Sequence, residues 1–82
     1  MEVPVFNPDD VGLQYVYVAV ADHIAARIEA GHLPAGARLP GERELAEEYR
    51  VALGTARRAL VELRERGLVR TLAAKGTFVL KS

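Results

Sequence analysis

The stretch Arg38-Leu39-Pro40-Gly41-Glu42-Arg43-Glu44-Leu45-Ala46-Glu47-Glu48-Tyr49-Arg50-Val51-Ala52-Leu53-Gly54-Thr55-Ala56-Arg57-Arg58-Ala59-Leu60 decides how this 82-residue chain folds. It reads as two helices around a tight turn. The first covers about residues 42–49, with Glu42 and Glu44 in its opening turn, where carboxylates favour the partial positive charge of a helix N-terminus. Arg50-Val51-Ala52 is the turn. The second runs from about Leu53 to Arg66; Ala56, Ala59, Leu60 and Leu63 step by three or four residues along one face, and Gly67 stops it. Its opposite face carries Gly54, Arg57, Arg58 and Val61. A cationic helix of this kind fits the major groove of duplex DNA.

Downstream, Leu68-Val69-Arg70-Thr71-Leu72 and Gly76-Thr77-Phe78-Val79-Leu80 predict two strands, with Ala73-Ala74-Lys75 and Gly76 as the hairpin tip. Upstream, residues 32–40 form a loop holding Pro34, Gly36 and Pro40, with room for a short strand at Arg38-Leu39. From about Leu13 to Ala30, the positions Leu13, Tyr17, Val20, Ile24 and Ile28 make an amphipathic helix stripe, with Gly31 as its stop and Pro34 beyond. Taken alone, Tyr15-Val16-Tyr17-Val18-Ala19-Val20 would also suit a strand. Pro4 and Pro8 oppose regular structure, so residues 1–10 are expected to be a flexible lead-in, with Asp9 and Asp10 placed to open the first helix. The expected architecture is α+β, mainly α. Three helices and a two-stranded hairpin form a winged helix-turn-helix over residues 11–82.

Half of the residues are apolar, enough for one compact core. The chain has no cysteine, which excludes disulfides and thiolate-held zinc. His23 and His32 are the only histidines and have no acidic partner at ligand spacing, so neither metal nor cofactor is expected. Without a Ser/His/Asp set or a phosphate-cradling glycine loop, an enzyme is not expected either. The absence of a signal peptide or a long apolar run points to a cytoplasmic, nucleoid-associated protein with no membrane partner.

Formal net charge is zero, but it is unevenly divided. Residues 1–49 hold three basic and nine acidic side chains, net −6, whereas residues 50–82 hold eight basic and two acidic, net +6. This suits a surface built to meet phosphates. Pairing between the two halves would produce the same pattern. On the first helix, Tyr15, Val18 and Ala19 fall outside the core stripe. A helix apolar nearly all round expects cover on both sides, most simply a second copy of the chain, although scattered exposed apolar residues are ordinary.

The runs Leu39-Pro40-Gly41-Glu42-Arg43-Glu44-Leu45-Ala46, Thr55-Ala56-Arg57-Arg58-Ala59-Leu60, Gly67-Leu68-Val69 and Lys75-Gly76-Thr77-Phe78-Val79 resemble GntR-type bacterial transcription regulators, in order and from about Tyr17 to Leu80. The resemblance implies a winged helix that binds double-stranded operator DNA, an inverted repeat, as a homodimer and usually represses. It also implies DNA contacts from Arg43, the start of the third helix, Arg57 and the wing tip near Lys75 and Gly76. With the basic and small residues alongside, the expected interface is Arg38, Arg43, Leu53, Gly54, Thr55, Arg57, Arg58, Lys75, Gly76 and Thr77.

The chain departs from the family in three respects. Gly41 stands where serine is usual, and Arg50 where glycine is usual. Ala52-Leu53 replaces a Ser/Thr-Arg pair, which removes a helix cap worth about 1 kcal/mol and a base-reading arginine. Leu53 then either touches a thymine methyl or folds inward. Family members normally carry a further effector-binding domain; within these residues no small-molecule effector is expected. The alternative function is a winged helix that binds protein, with DNA readout weakened or lost.

Overall fold

The computed structural model describes residues 3–10 and 15–80, in which three α-helices precede one antiparallel hairpin. Helix α1 spans Val16–Glu29, α2 spans Glu42–Tyr49 and α3 spans Leu53–Glu65. Strand β1 is Val69–Leu72 and β2 is Gly76–Val79, paired in the register Val69 with Val79 and Leu72 with Gly76. The first helix forms despite its β-branched start because helical spacing lets Val20, Ala21, Ile24 and Ile28 all reach the core.

Those four pack with Leu45, Ala46 and Tyr49 of α2 and with Ala56, Ala59, Leu60 and Leu63 of α3. Leu39, Val69 and Val79 close the core on the hairpin side. The inward positions expected of α3 are all buried. So are Val20, Ile24 and Ile28 of the α1 stripe, while Tyr17 packs half-buried at its edge and Leu13 lies outside the described residues.

Helix α3 ends through Gly67, whose φ of +75° an L side chain would resist. The next amide, from Leu68, bonds back to the Leu63 carbonyl at 3.1 Å. The expected strand at Arg38-Leu39 appears as an isolated antiparallel bridge between Arg38 and Phe78. Around it, Leu39 N–H donates to Thr77 (2.8 Å), Val79 N–H to Ala37 (2.9 Å) and Gly36 N–H to Val79 (2.8 Å). The hairpin is therefore fastened along β2 to the segment before α2.

The start of the chain corrects one expectation. Asp9 and Asp10 lie in a short 3-10 turn, Pro8–Asp10, and α1 opens at Val16 with Tyr15 as its N-cap and no acidic residue in its first turn. Their charge suits a helix N-terminus, but the Asp9 amide is instead bonded to Asn7 Oδ1 at 3.0 Å. Phe6 packs against the core, with its ring 5.1 Å from that of Tyr49 and 5.6 Å from that of His23.

Candidate nucleic-acid interface

Helix α3 presents its outer face because its inner face is committed to the core. Leu53, its first residue, is 38% exposed and stands outside the core cluster. Of the two alternatives for Leu53, the inward one is not adopted. No side chain caps this helix: Ala52 holds the N-cap position in extended conformation. One residue on, Gly54 faces open space, with nothing within 4 Å of where a Cβ would project. Thr55 is half-buried beside it.

Arg57 and Arg58 leave α3 in different directions, and each finds a partner. Arg57 Nε donates to Glu42 Oε2 at 2.9 Å, with the arginine side chain still 58% exposed. An ion pair this open is worth about 0–1 kcal/mol. The Arg58 guanidinium lies 4.5 Å from the ring centroid of Tyr17, and Tyr15 stacks on Tyr17 at 6.0 Å. An exposed cation–π contact contributes roughly 0.5–1 kcal/mol. Both contacts orient the guanidinium groups without enclosing them. An open groove of about 470 Å³ runs along this face past Tyr17, Gly54, Arg58 and Val61.

Arg43 is exposed on the first turn of α2, and Lys75 is exposed at the hairpin tip. Gly76 has a φ of +119°, and a Cβ there would sit 2.7 Å from Arg38 Nε. The backbone conformation favours glycine, and the missing side chain leaves room for the Arg38 guanidinium to approach the hairpin. Arg64 donates to Thr71 Oγ1 at 3.0 Å, and Thr71 and Thr77 share a hydroxyl bond of 2.8 Å across the strands.

The structure thus gathers Leu53, Gly54, Thr55, Arg57 and Arg58 on the outer side and leading end of α3, and Arg38, Gly76 and Thr77 at the hairpin. Of the residues expected at a dimer surface, Tyr15 is 75% exposed, whereas Val18 and Ala19 are half-buried. Glu42, Tyr17, Arg64 and Thr71 were not foreseen. Arg64 sits seven residues after Arg57, on the same side of the helix, and the hairpin register sets Thr71 opposite Thr77; both signals were available from spacing.

Charge pairing between the two halves of the chain is real but partial. Arg66 binds Asp22 at 2.8 Å, clipping the end of α3 to α1, and Arg57 binds Glu42, whereas the bond of Arg66 to Glu62 at 2.9 Å lies within its own half. Among the described residues, Arg38, Arg43, Arg58, Arg64, Arg70 and Lys75 take part in no salt bridge.

A separate network fastens α1 to α2. Arg27 donates to Glu48 at 2.9 Å and to the Tyr49 hydroxyl at 3.1 Å, and His23 Nδ1 stands 2.7 Å from that hydroxyl. His23 Nε2 meets the Pro4 carbonyl, which only accepts, so Nε2 carries the hydrogen. Burial pushes the Tyr49 phenol above its ordinary pKa, and Arg27 partly opposes the shift. Arg27 is itself held above its usual value: burial works the other way, but the bond to Tyr49 and the charges nearby outweigh it.

Three helices, a tight turn between the second and third, and a hairpin set beside the third define a winged helix-turn-helix domain. Residues 16–79 match the family described as bacterial regulatory proteins, gntR family, and the chain belongs to that family. It is a family of regulators, not of enzymes. The chain is 34% identical over 64 residues to the HTH-type transcriptional regulator SmoD of Agrobacterium fabrum, a match that covers 78% of this chain and 27% of that protein. It is 36% identical over 66 residues to the HTH-type transcriptional repressor NagR of Bacillus subtilis, covering 80% of this chain and 27% of that one. It thus spans about a quarter of the length of these curated relatives. Among solved structures it resembles AraR(DBD) in complex with operator ORX1, with a TM-score of 0.77 and 29% identity, covering 96% of this chain and 95% of that one. Among the described residues no helix is long and apolar enough to cross a membrane.

Proposed function

We propose that this domain binds duplex DNA sequence-specifically and represses transcription from an inverted-repeat operator, as a homodimer acting in the cytoplasm at the nucleoid. Helix α3 enters the major groove, and the hairpin tip at 73–77 reaches the minor groove or the backbone beside it. The observation that carries this reading is the exposure of Arg57 and Arg58 from α3, beside a hairpin bearing Lys75 and the neighbouring Arg38 of the segment before α2. The likeness to a domain solved on its operator supports it.

Within this arrangement Arg57 grips phosphate through its terminal Nη groups, with its Nε still held by Glu42. Gly54 lets the helix start come close to the base edges, with Thr55 alongside. Arg58, held over Tyr17, supplies a second fork for phosphate or guanine. Leu53 offers a methyl surface to thymine in place of a bidentate arginine, and losing such a pair removes roughly 1–3 kcal/mol of discrimination. Arg43 contacts the strand passing the start of α2. Tyr15, with Val18 and Ala19 beneath it, forms the surface for the second copy. The exposed apolar pair Leu53 and Val61, at 38% and 37%, equally suits a protein partner, and this is the competing reading.

Selection of bound duplexes from a random pool separates the two. An enriched inverted repeat is expected; no enrichment even at low salt would leave the protein-binding reading. With a selected duplex, Arg57→Ala is expected to weaken binding to every sequence and to lower the log–log salt slope by about 0.9 for the phosphate lost. Leu53→Arg should instead change which sequences are enriched. Parent-like binding by Arg57→Ala would refute the role assigned to α3.

A further inference from the structure

The geometry points to a phosphate seat at the root of the wing, formed by Arg38, Arg64, Thr71 and Thr77, which takes one backbone phosphodiester of the bound duplex. It rests on the duplex-binding reading above and adds to it a defined site, with Arg64 and Thr71 as residues that reading did not use.

The four side chains come from four places in the sequence, namely the segment before α2, α3, β1 and β2. They line one cleft of about 200 Å³, with Gly41 and Glu42 at its other wall. Arg38 lies close beside Gly76, whose missing side chain leaves room for the guanidinium there. Arg64 is steered by its bond to Thr71 at 3.0 Å. Neither arginine takes part in a salt bridge among the described residues, and Glu42, the carboxylate lining the cleft, is engaged by Arg57.

Donor counting identifies the ligand class. Each guanidinium carries five N–H donors and accepts nothing, and Arg64 commits one of them to Thr71. Thr71 and Thr77 are bonded to each other, so one hydroxyl donates to the other and the second hydrogen remains available whichever way the pair is arranged. The cleft therefore offers two forks and one hydroxyl hydrogen to an incoming group. Such a group must carry negative charge and several acceptor oxygens, and phosphate meets this description. Its position between the outer face of α3 and the hairpin is where a strand held by both would pass. A free phosphate ion shares the chemistry, and the test below tells the two sources apart.

The measurement is duplex affinity of the full chain over a range of salt concentrations, for the parent, Arg57→Ala, Arg64→Gln and Arg38→Gln, with thermal unfolding recorded for each. It is repeated on duplexes in which single phosphates are replaced by neutral methylphosphonate. Both seat variants should bind roughly tenfold more weakly, with a salt slope lower by about 0.9. One methylphosphonate position should weaken the parent while leaving Arg64→Gln no weaker than it already is. A bond that merely braced the hairpin would not produce that pairing of one residue with one phosphate. If Arg64→Gln fails to fold, Arg38→Gln, which breaks no salt bridge, is tested on the same modified duplexes. If Arg57→Ala is weakened while both seat variants bind like the parent, the seat is wrong and the proposed function stands. If the parent binds no duplex, both fail. If inorganic phosphate at millimolar concentration shifts the Thr71 and Thr77 amide resonances while the seat variants bind duplex normally, the cleft holds a free ion, and the assignment to DNA is overturned.

Discussion

At Arg50, as at Ala74, a residue other than glycine holds a left-handed backbone conformation. Arg50 closes α2 with φ +57° and ψ +45°, a left-handed conformation in which a Cβ crowds the following carbonyl oxygen. The turn needs that geometry because the Val51 amide bonds back to the Ala46 carbonyl at 3.0 Å. The Arg50 side chain recovers little, since its bond to the Phe6 carbonyl is 3.4 Å long. Arg50→Gly should therefore raise stability by about 0.5–1 kcal/mol, read as a higher urea midpoint. An unchanged or lower midpoint would mean that the Phe6 contact outweighs the strain. The position was legible in the sequence, because glycine is usual there in the family and a departure from it marks strain. The contacts of Arg57 with Glu42 and of Arg58 with Tyr17 were not legible. Their partners lie on other helices, and only the packing of those helices brings them together.

The elements obey their sequence signals where the signals are strong. Helix α2 has the expected bounds, and α3 ends one residue early at Glu65. The strands came out shorter: Leu68 and Leu80 join neither β1 nor β2, although the Leu80 amide still bonds to the Leu68 carbonyl at 3.0 Å. Helix α1 was the least legible at its start. Neither Tyr15 nor its neighbours offer a capping side chain, so nothing in the pattern marked the boundary. The same deficiency at α3 has a measurable consequence. Ala52 sits in the extended conformation a capping serine adopts, but its methyl side chain can accept no bond from the amides of the first turn. Ala52→Ser should add about 1 kcal/mol of stability, visible as a higher melting temperature. No gain would show that those amides are already well satisfied by water.

At the scale of the whole molecule, the division of charge is resolved into three uses. Arg66 holds α3 to α1 and Arg57 reaches Glu42, while among the described residues Arg50, Arg58, Arg64, Arg70 and Lys75 are exposed and form no salt bridge. Tyr15, the most exposed aromatic residue among those described, is the feature that points to a second copy. Tyr15→Lys combined with Val18→Glu should lower the mass observed in sedimentation. A parent already monomeric at high concentration would remove that surface from consideration. The hairpin has a further property of its own. Because β2 is laced on one side to β1 and on the other to residues 36–39, its base cannot swing like a free flap. Whatever lies across α3 meets a side wall whose tilt was set during folding. Little disorder remains there to be lost on docking, so a partner of the wrong width is turned away rather than accommodated.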